Sequence, residues 1–302
     1  MARTQALNIT LAGSTDKEQL AEIYGAVIDN IGLNAVSSAL KNKALSGDPE
    51  AGSVEVKRFT NSEAKEYGTA RSGGKGDGLK AKPITVNLNT HKEIVEEIEE
   101  FDARKYGVPG MLAKRAANHV DTMTRDLDTA FFVTAVAAGT EFTPTKTKIV
   151  QQLEELVTAI EETKNEYVNG VDREDIAVTV SPSMASDIRN ELDELPNGMT
   201  YTNGIVGKLH GFDVYVSGRL PAGVKCVAMR YDSIAQPCMV SKYDPEKINL
   251  SRATAVELYY DYGTKAVTED LIKYIGKPTD TTSTTSTTST TGQSDTGSGN
   301  GE

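Results

Sequence analysis

Gly68 to Lys75 reads G-x-x-x-x-G-G-K, and a glycine-rich turn ending in lysine is the first place to look for phosphate chemistry. In a Walker A loop the lysine directly follows the second glycine, and a Ser or Thr after it binds magnesium. Here Gly74 separates Gly73 from Lys75, and Gly76 stands where the hydroxyl should be. The strand-like segment before the loop is charged, and no helix signal follows the lysine. Nucleotide binding is therefore the minor reading of this loop. His91, His119 and His210 lie far apart, and none has metal-ligand spacing. Cys226 and Cys238 fit neither a metal ribbon nor a redox pair, and read as two buried free thiols in a reducing compartment rather than as a disulfide. No serine sits in a G-x-S-x-G elbow. Glu96-Glu97 and Glu99-Glu100 read as a solvated acidic face. These patterns assign no catalytic residue, cofactor or metal.

The elements that would carry any site come next. The chain has 302 residues with 43 acidic and 32 basic side chains, a net charge of −11. That balance argues against tight binding to nucleic acid through phosphate neutralisation. No apolar run reaches the ~20 residues of a membrane helix, and Met1 to Ala12 lacks the apolar core of a secretory signal. Thr279 to Glu302 contains ten threonines and no apolar or basic residue, so it reads as a disordered tail.

Thr15-Asp16-Lys17-Glu18 has capping-box spacing and opens a helical stripe from Leu20 to Ile31. A second helical stretch with Val36, Ala39 and Leu40 is expected to run to Gly47-Asp48-Pro49. Val54 to Thr60 reads as a strand, and Ile84, Val86 and Leu88 alternate with polar residues as a half-buried strand should. The glycine-rich stretch between them is either a bland surface loop or the tip of a two-stranded arm that needs other subunits to order it. After the acid-rich segment His91 to Asp102, the longest helical signal runs from Met111 to Ala138. Ala113, Ala116 and Ala117 would let that helix approach a sheet closely. A second amphipathic helix carries Ile149 to Ile160. Ile176 to Val180 is a short buried strand, and Ser181-Pro182 caps a helix running to about Asp193. Pro196-Asn197-Gly198 turns the chain. Phe212 to Ser217, Val224 to Arg230, Ala255 to Tyr262 and Lys265 to Ile275 are β-rich. Strands and helices mix without regular alternation, so the class is α+β.

This order of parts resembles the tailed-bacteriophage major capsid (major head) protein family. Val180-Ser181-Pro182-Ser183-Met184 before an amphipathic helix looks like its strand-to-helix passage. Gly207 to Ser217, continuing through Leu220-Pro221 to the strand at Val224, is similar to its glycine-led strand and Leu-Pro turn. The resemblance covers about Thr15 to Gly276. It implies the phage major capsid fold: a helical arm at 1–53, an extended β-hairpin loop at 54–90 and a spine helix at 110–138. It also implies a peripheral domain at 91–146 and 241–260 and an axial domain at 147–240 and 261–278, with the tail at 279–302.

The implied function is a non-enzymatic subunit of an icosahedral virion shell, made in the host cytoplasm, with no cofactor and no membrane. It would build pentamers and hexamers from itself, with a separate scaffolding protein and a portal, and enclose double-stranded DNA without gripping it. Many members carry a long N-terminal scaffolding region, whereas here the helical arm starts almost at once, which suggests a separately encoded scaffold or a short assembly arm. No covalent crosslink from Lys65, Lys75, Lys80 or Lys82 is expected. Arg71, Lys75, Lys80 and Lys82 against Asp77 give the loop tip a net charge of +3, and 92–102 carries −5. The candidate contacts between subunits are therefore these four cations on Glu96, Glu97 and Glu100 of a neighbour. Two alternatives stand beside this reading: an encapsulin-like cellular nanocompartment shell, and a nucleotide-dependent enzyme built on Gly68 to Gly78.

Overall fold

The structure, a computed structural model, describes residues 35–47, 49, 52–62, 66, 80–98, 108–193, 205–247 and 254–279. The expected helix at 15–31, the glycine-rich tip, the turn at Pro196 and the tail after Thr279 lie outside them. In chain order the elements are α1 (Val36–Leu40), β1 (Ser53–Phe59), β2 (Ala81–Asn87), β3 (Thr90–Ile98), α2 (Val108–Ala138), β4 (Thr140–Glu141), α3 (Ile149–Glu161), β5 (Ile176–Val180), α4 (Pro182–Asp193), β6 (Ile205–Leu209), β7 (Phe212–Val216), β8 (Val224–Arg230), β9 (Ile234–Ala235), β10 (Cys238–Lys247), β11 (Thr254–Tyr262), β12 (Lys265–Ala266) and β13 (Ile272–Gly276).

The body is a six-stranded mixed sheet in the order β4-β13-β8-β5-β7-β6. Every residue of β5 is buried because both faces of the sheet are covered, as a continuous apolar strand requires. Ile176, Val178 and Val180 point with Phe212, Val214 and Cys226 toward Leu153, Leu156 and Ile160 of α3 and Ile188 of α4. Ala177, Val227, Met229 and Ile272 point the other way, onto Phe131, Phe132 and Ala135 of α2 and Leu40 of α1. The period-2 alternation of each strand thus feeds two cores at once. α4 starts where Ser181 and Pro182 place it, with Met184 N–H donating to Ser181 Oγ at 3.3 Å.

α2 has 31 residues, a rod of about 46 Å. Val120, Met123, Leu127 and Phe131 are buried as their spacing predicts. Ala117 is exposed, so the close approach expected there does not occur at that residue. Beside α2 lies an antiparallel sheet ordered β10-β11-β3, and β1 pairs with β2 as an antiparallel ribbon. The α+β class and the long central helix are observed.

Four details differ from expectation. α1 stops at Leu40 instead of reaching Gly47, because Lys41 turns extended (φ −70, ψ 151) and Asn42 N–H bonds the carbonyl of Ile234 at 2.7 Å. The acid-rich segment after His91 is a strand as far as Ile98, hydrogen-bonded to β11. Lys265 to Ile275 is not one β segment: a 3-10 turn at Glu269–Leu271 divides it. Thr279 belongs to the body rather than the tail, since its N–H donates to Ala222 O at 2.8 Å.

Candidate assembly surfaces

The two-stranded ribbon stands on a small apolar foot. Val54, Val56 and Val86 are buried against Ala235 and Val267, while Lys57, Phe59, Ala81 and Lys82 farther along are exposed. Apolar burial therefore ends partway up β1, and polar ties take over. Arg58 donates through both terminal nitrogens to Asp270, at 2.8 Å each, and lies 4.4 Å from the ring centre of Tyr167. Such a planar fork fits a carboxylate and a ring face together. Burial pushes the Asp270 carboxyl up, but hydrogen bonds from Arg58 and Asn165 outweigh it and hold the group below its ordinary range. Lys265 Nζ donates to Thr85 O at 3.0 Å, and Asn61 N–H donates to Glu166 O at 3.0 Å. At Gly263 a Cβ would collide with the carbonyl of Asn87, so only glycine lets β11 turn so close to the root of the ribbon.

The second surface is the seam between β3 and α2. Lys92 Nζ lies 3.7 Å from Asp126, and Arg115 Nε donates to Glu96 at 2.6 Å, so the strand is fixed along the helix by charges at two levels. His119, fully buried, places Nε2 3.1 Å from the same carboxylate. The hydrogen bond from Arg115, opposed by burial and joined by His119, holds Glu96 below the usual carboxylate range. Tyr260 of β11 donates to Asp126 at 2.7 Å, and burial pushes its phenol up. Farther along α2, buried Asp128 accepts Ser37 N–H at 2.9 Å and Arg219 Nη1 at 2.7 Å. One carboxylate thereby joins α1, the long helix and the loop after β7.

The predicted contact residues fall unevenly on this frame. Lys82 is exposed in β2 opposite Arg58, and Lys80 is exposed just before it, with its carbonyl accepting from Thr60 N–H at 3.2 Å. Glu97 is exposed on β3. Glu96 is engaged by Arg115 in its own chain. Arg71, Lys75 and Glu100, with the glycine-rich loop, lie outside the described residues. Sequence reasoning missed Arg58, Asp128, Lys265 and Asp270; their partners are 91 to 212 residues away, and no local pattern announces such pairs.

Among the described residues no cluster of three or more His, Cys, Asp or Glu could hold a metal, and no helix is long and apolar enough to cross a membrane. Each histidine meets a carboxylate in a different place: His91 meets Asp261 at 2.6 Å, His119 meets Glu96, and His210 meets Glu154 at 2.5 Å. The polar groups in these surfaces tie elements together.

A search of curated proteins finds no match. Among solved structures, the fold is similar to a chain of the capsid structure of cyanophage P-SCSP1u, at 12% identity and TM-score 0.58, over 80% of this chain and 87% of that one. It is similar to a chain of Mycobacterium phage Che8, at 15% identity and TM-score 0.56, over 74% and 84%. It also matches a virus-like particle from Pyrococcus furiosus at 10% identity and TM-score 0.52, over 84% and 98%. At such identities these likenesses establish the fold alone, which is that of phage capsid subunits. A family model described as "Phage capsid protein" matches residues 93–276, which take in α2, the six-stranded sheet and both helices packed on it. With more than half of its length matched, the chain belongs to the phage capsid protein family and is a structural subunit of a virion shell.

Proposed function

We propose that copies of this chain form pentamers and hexamers that close an icosahedral shell around double-stranded DNA, with 91–146 and 241–260 as the peripheral domain and 147–240 and 261–278 as the axial one. The observation that carries this reading is the ribbon β1–β2, whose apolar foot ends at Val56 and Val86 while Lys57, Phe59, Ala81 and Lys82 are exposed. A tied foot with exposed side chains farther along suits a contact arm laid on a neighbour. Its basic end (Arg71, Lys75, Lys80, Lys82) meets acidic residues of the adjacent subunit. Glu97 and Glu100 lead there, and Glu96 contributes through the charge it shares with Arg115. Each exposed pair is worth only about 0–1 kcal/mol, but the contact recurs around every capsomer. A separately encoded scaffolding protein and a portal complete the assembly. The acidic chain repels the packaged genome rather than gripping it, and the tail after Thr279 stays outside the contacts.

Charge reversal tests the arm. Changing Arg71, Lys75, Lys80 and Lys82 together to Glu leaves the circular dichroism and melting of the subunit unchanged and abolishes particles in electron micrographs. Reversing Glu97 and Glu100 to Lys in the same chain restores part of the yield. High salt mimics the loss, since the screening length falls to about 3 Å at 1 M. Normal particles from the fourfold variant remove the arm's charge from the contact.

A further inference from the structure

The last strand of the body ends in a fixed and exposed root. β13 pairs with β8 as far as Gly276, opposite Val224, and the Lys277, Pro278 and Thr279 that follow are exposed. Thr279 donates to the carbonyl of Ala222 through its N–H at 2.8 Å and its Oγ1 at 3.3 Å. A Cβ at Gly223 would collide with the Lys277 carbonyl, so only glycine lets the two passages lie this close. Ala222 and Gly223 are themselves exposed. The chain is therefore tied to the loop between β7 and β8 at Thr279, and that tie stands at the surface.

Two residues beyond it begins a run of eleven hydroxyl side chains. Thr281 to Thr291 holds eight threonines, three serines and nothing else, with Thr-Thr-Ser repeated three times in succession. A run of this composition has no apolar face to bury, but it offers one kind of nucleophile at every position. Ser/Thr-rich tracts next to proline, here Pro278, have the composition of O-glycosylated segments. Phosphate suits the run poorly. Each phosphoryl group adds about −1.5 to −2 charge, no Lys or Arg lies between Pro278 and Glu302 to pair with it, and the whole chain already carries −11. A neutral sugar adds no such repulsion. We infer that Thr281 to Thr291 is an acceptor tract for O-linked sugar, taken from a nucleoside-diphosphate sugar by a separate glycosyltransferase. A Thr or Ser Oγ attacks the anomeric carbon of the donor and forms the glycosidic bond. The bond from that carbon to the diphosphate oxygen breaks, the nucleoside diphosphate leaves with the electron pair, and the hydroxyl proton passes to a base of the transferase. Nothing is oxidised or reduced. The tie at Thr279 precedes the first acceptor, so the modification disturbs no contact of the described body. This goes beyond the shell reading above and does not depend on it.

Intact-mass spectrometry of the full-length chain, isolated from its natural source, decides it. The expected result is a series of masses above that of the bare sequence, spaced by one sugar residue, with peptide mapping placing every increment within 281–291. Mild alkali, which eliminates O-linked sugar from Ser and Thr, should collapse the series, and a phosphatase should leave it unchanged. A companion chain lacking residues 281–291, made in the same source, should give a single unmodified mass and melt as wild type. A bare mass for the wild-type chain overturns the inference and leaves the shell reading standing. A series that phosphatase removes, or one that maps outside the tract, overturns it as well.

Discussion

The six-stranded body and the β1–β2 ribbon are both β structure, yet different forces hold them. In the body, strands such as β5 are buried on both faces, and the charged pair Arg173–Glu161 sits at the periphery. In the ribbon, three valines are buried with Ile84 partly covered beside them, and the rest of its attachment is hydrogen bonds, one ion pair and the contact of Arg58 with the Tyr167 ring. Burial scales with apolar area and is insensitive to pH and salt, whereas polar ties are individually modest and conditional. The body can therefore fold by itself. In the ribbon, apolar burial ends at Val56 and Val86, and the ties beyond them are polar.

The comparison breaks most visibly at a core aromatic. Phe212, fully buried between sheet and α3, contributes about 3–5 kcal/mol on truncation. Phe212→Ala should therefore abolish a cooperative thermal transition and with it all particles. Arg58→Ala should cost less, about 2 kcal/mol, and act locally: hydrogen exchange accelerates in β1 and β2 while amides of β5 and β8 stay protected. Equal acceleration in both regions would mean that the ribbon and the body form one cooperative unit.

Acid should separate the two regions further. Glu96 in the seam and Asp270 at the ribbon have lowered carboxyl pKa values, and Glu161 is lowered too but at the edge of a body held by apolar burial. Their pairs therefore add stability above the unfolded-state carboxylate range of about pH 4, and lose it as pH falls through the lowered folded values. At about pH 3, pepsin should cut the ribbon and the β3 seam before the body, and Asp270→Asn should remove part of that acid sensitivity. The smallest effect concerns the thiols. Burial pushes Cys226 up to about 12 and Cys238 up to about 11. Neither should react quickly with an alkylating agent at pH 8, and Cys238, at the edge of the smaller sheet, should react first.

Periodicity made most of the fold readable in advance. The stripe Val120, Met123, Leu127, Phe131 announces α2, the strict alternation around Val86 announces β2, and Ser181-Pro182 announces α4. β3 was hidden because its glutamates break the apolar pattern. Glu96 is half-buried under a guanidinium and a histidine brought from α2, and Val95 faces outward, so neither face looks like a strand in one dimension. The proposed contacts are read from charge blocks. Their anchors are not: Arg58 and Asp270 are ordinary surface residue types until the ribbon folds back over the loop at Tyr167. Asp128 reads as a polar interruption of an apolar stripe, and only the fold shows that it ties Ser37 to Arg219.

The central claim is that the body is complete within one chain while the chain between β1 and β2 is completed by neighbours. Electron cryomicroscopy of particles assembled from the full-length chain, at a resolution that traces the backbone, tests it directly. The account predicts a closed shell in which residues 63–79 lie on an adjacent subunit. A closed shell in which residues 63–79 of each chain pack on its own body would contradict it.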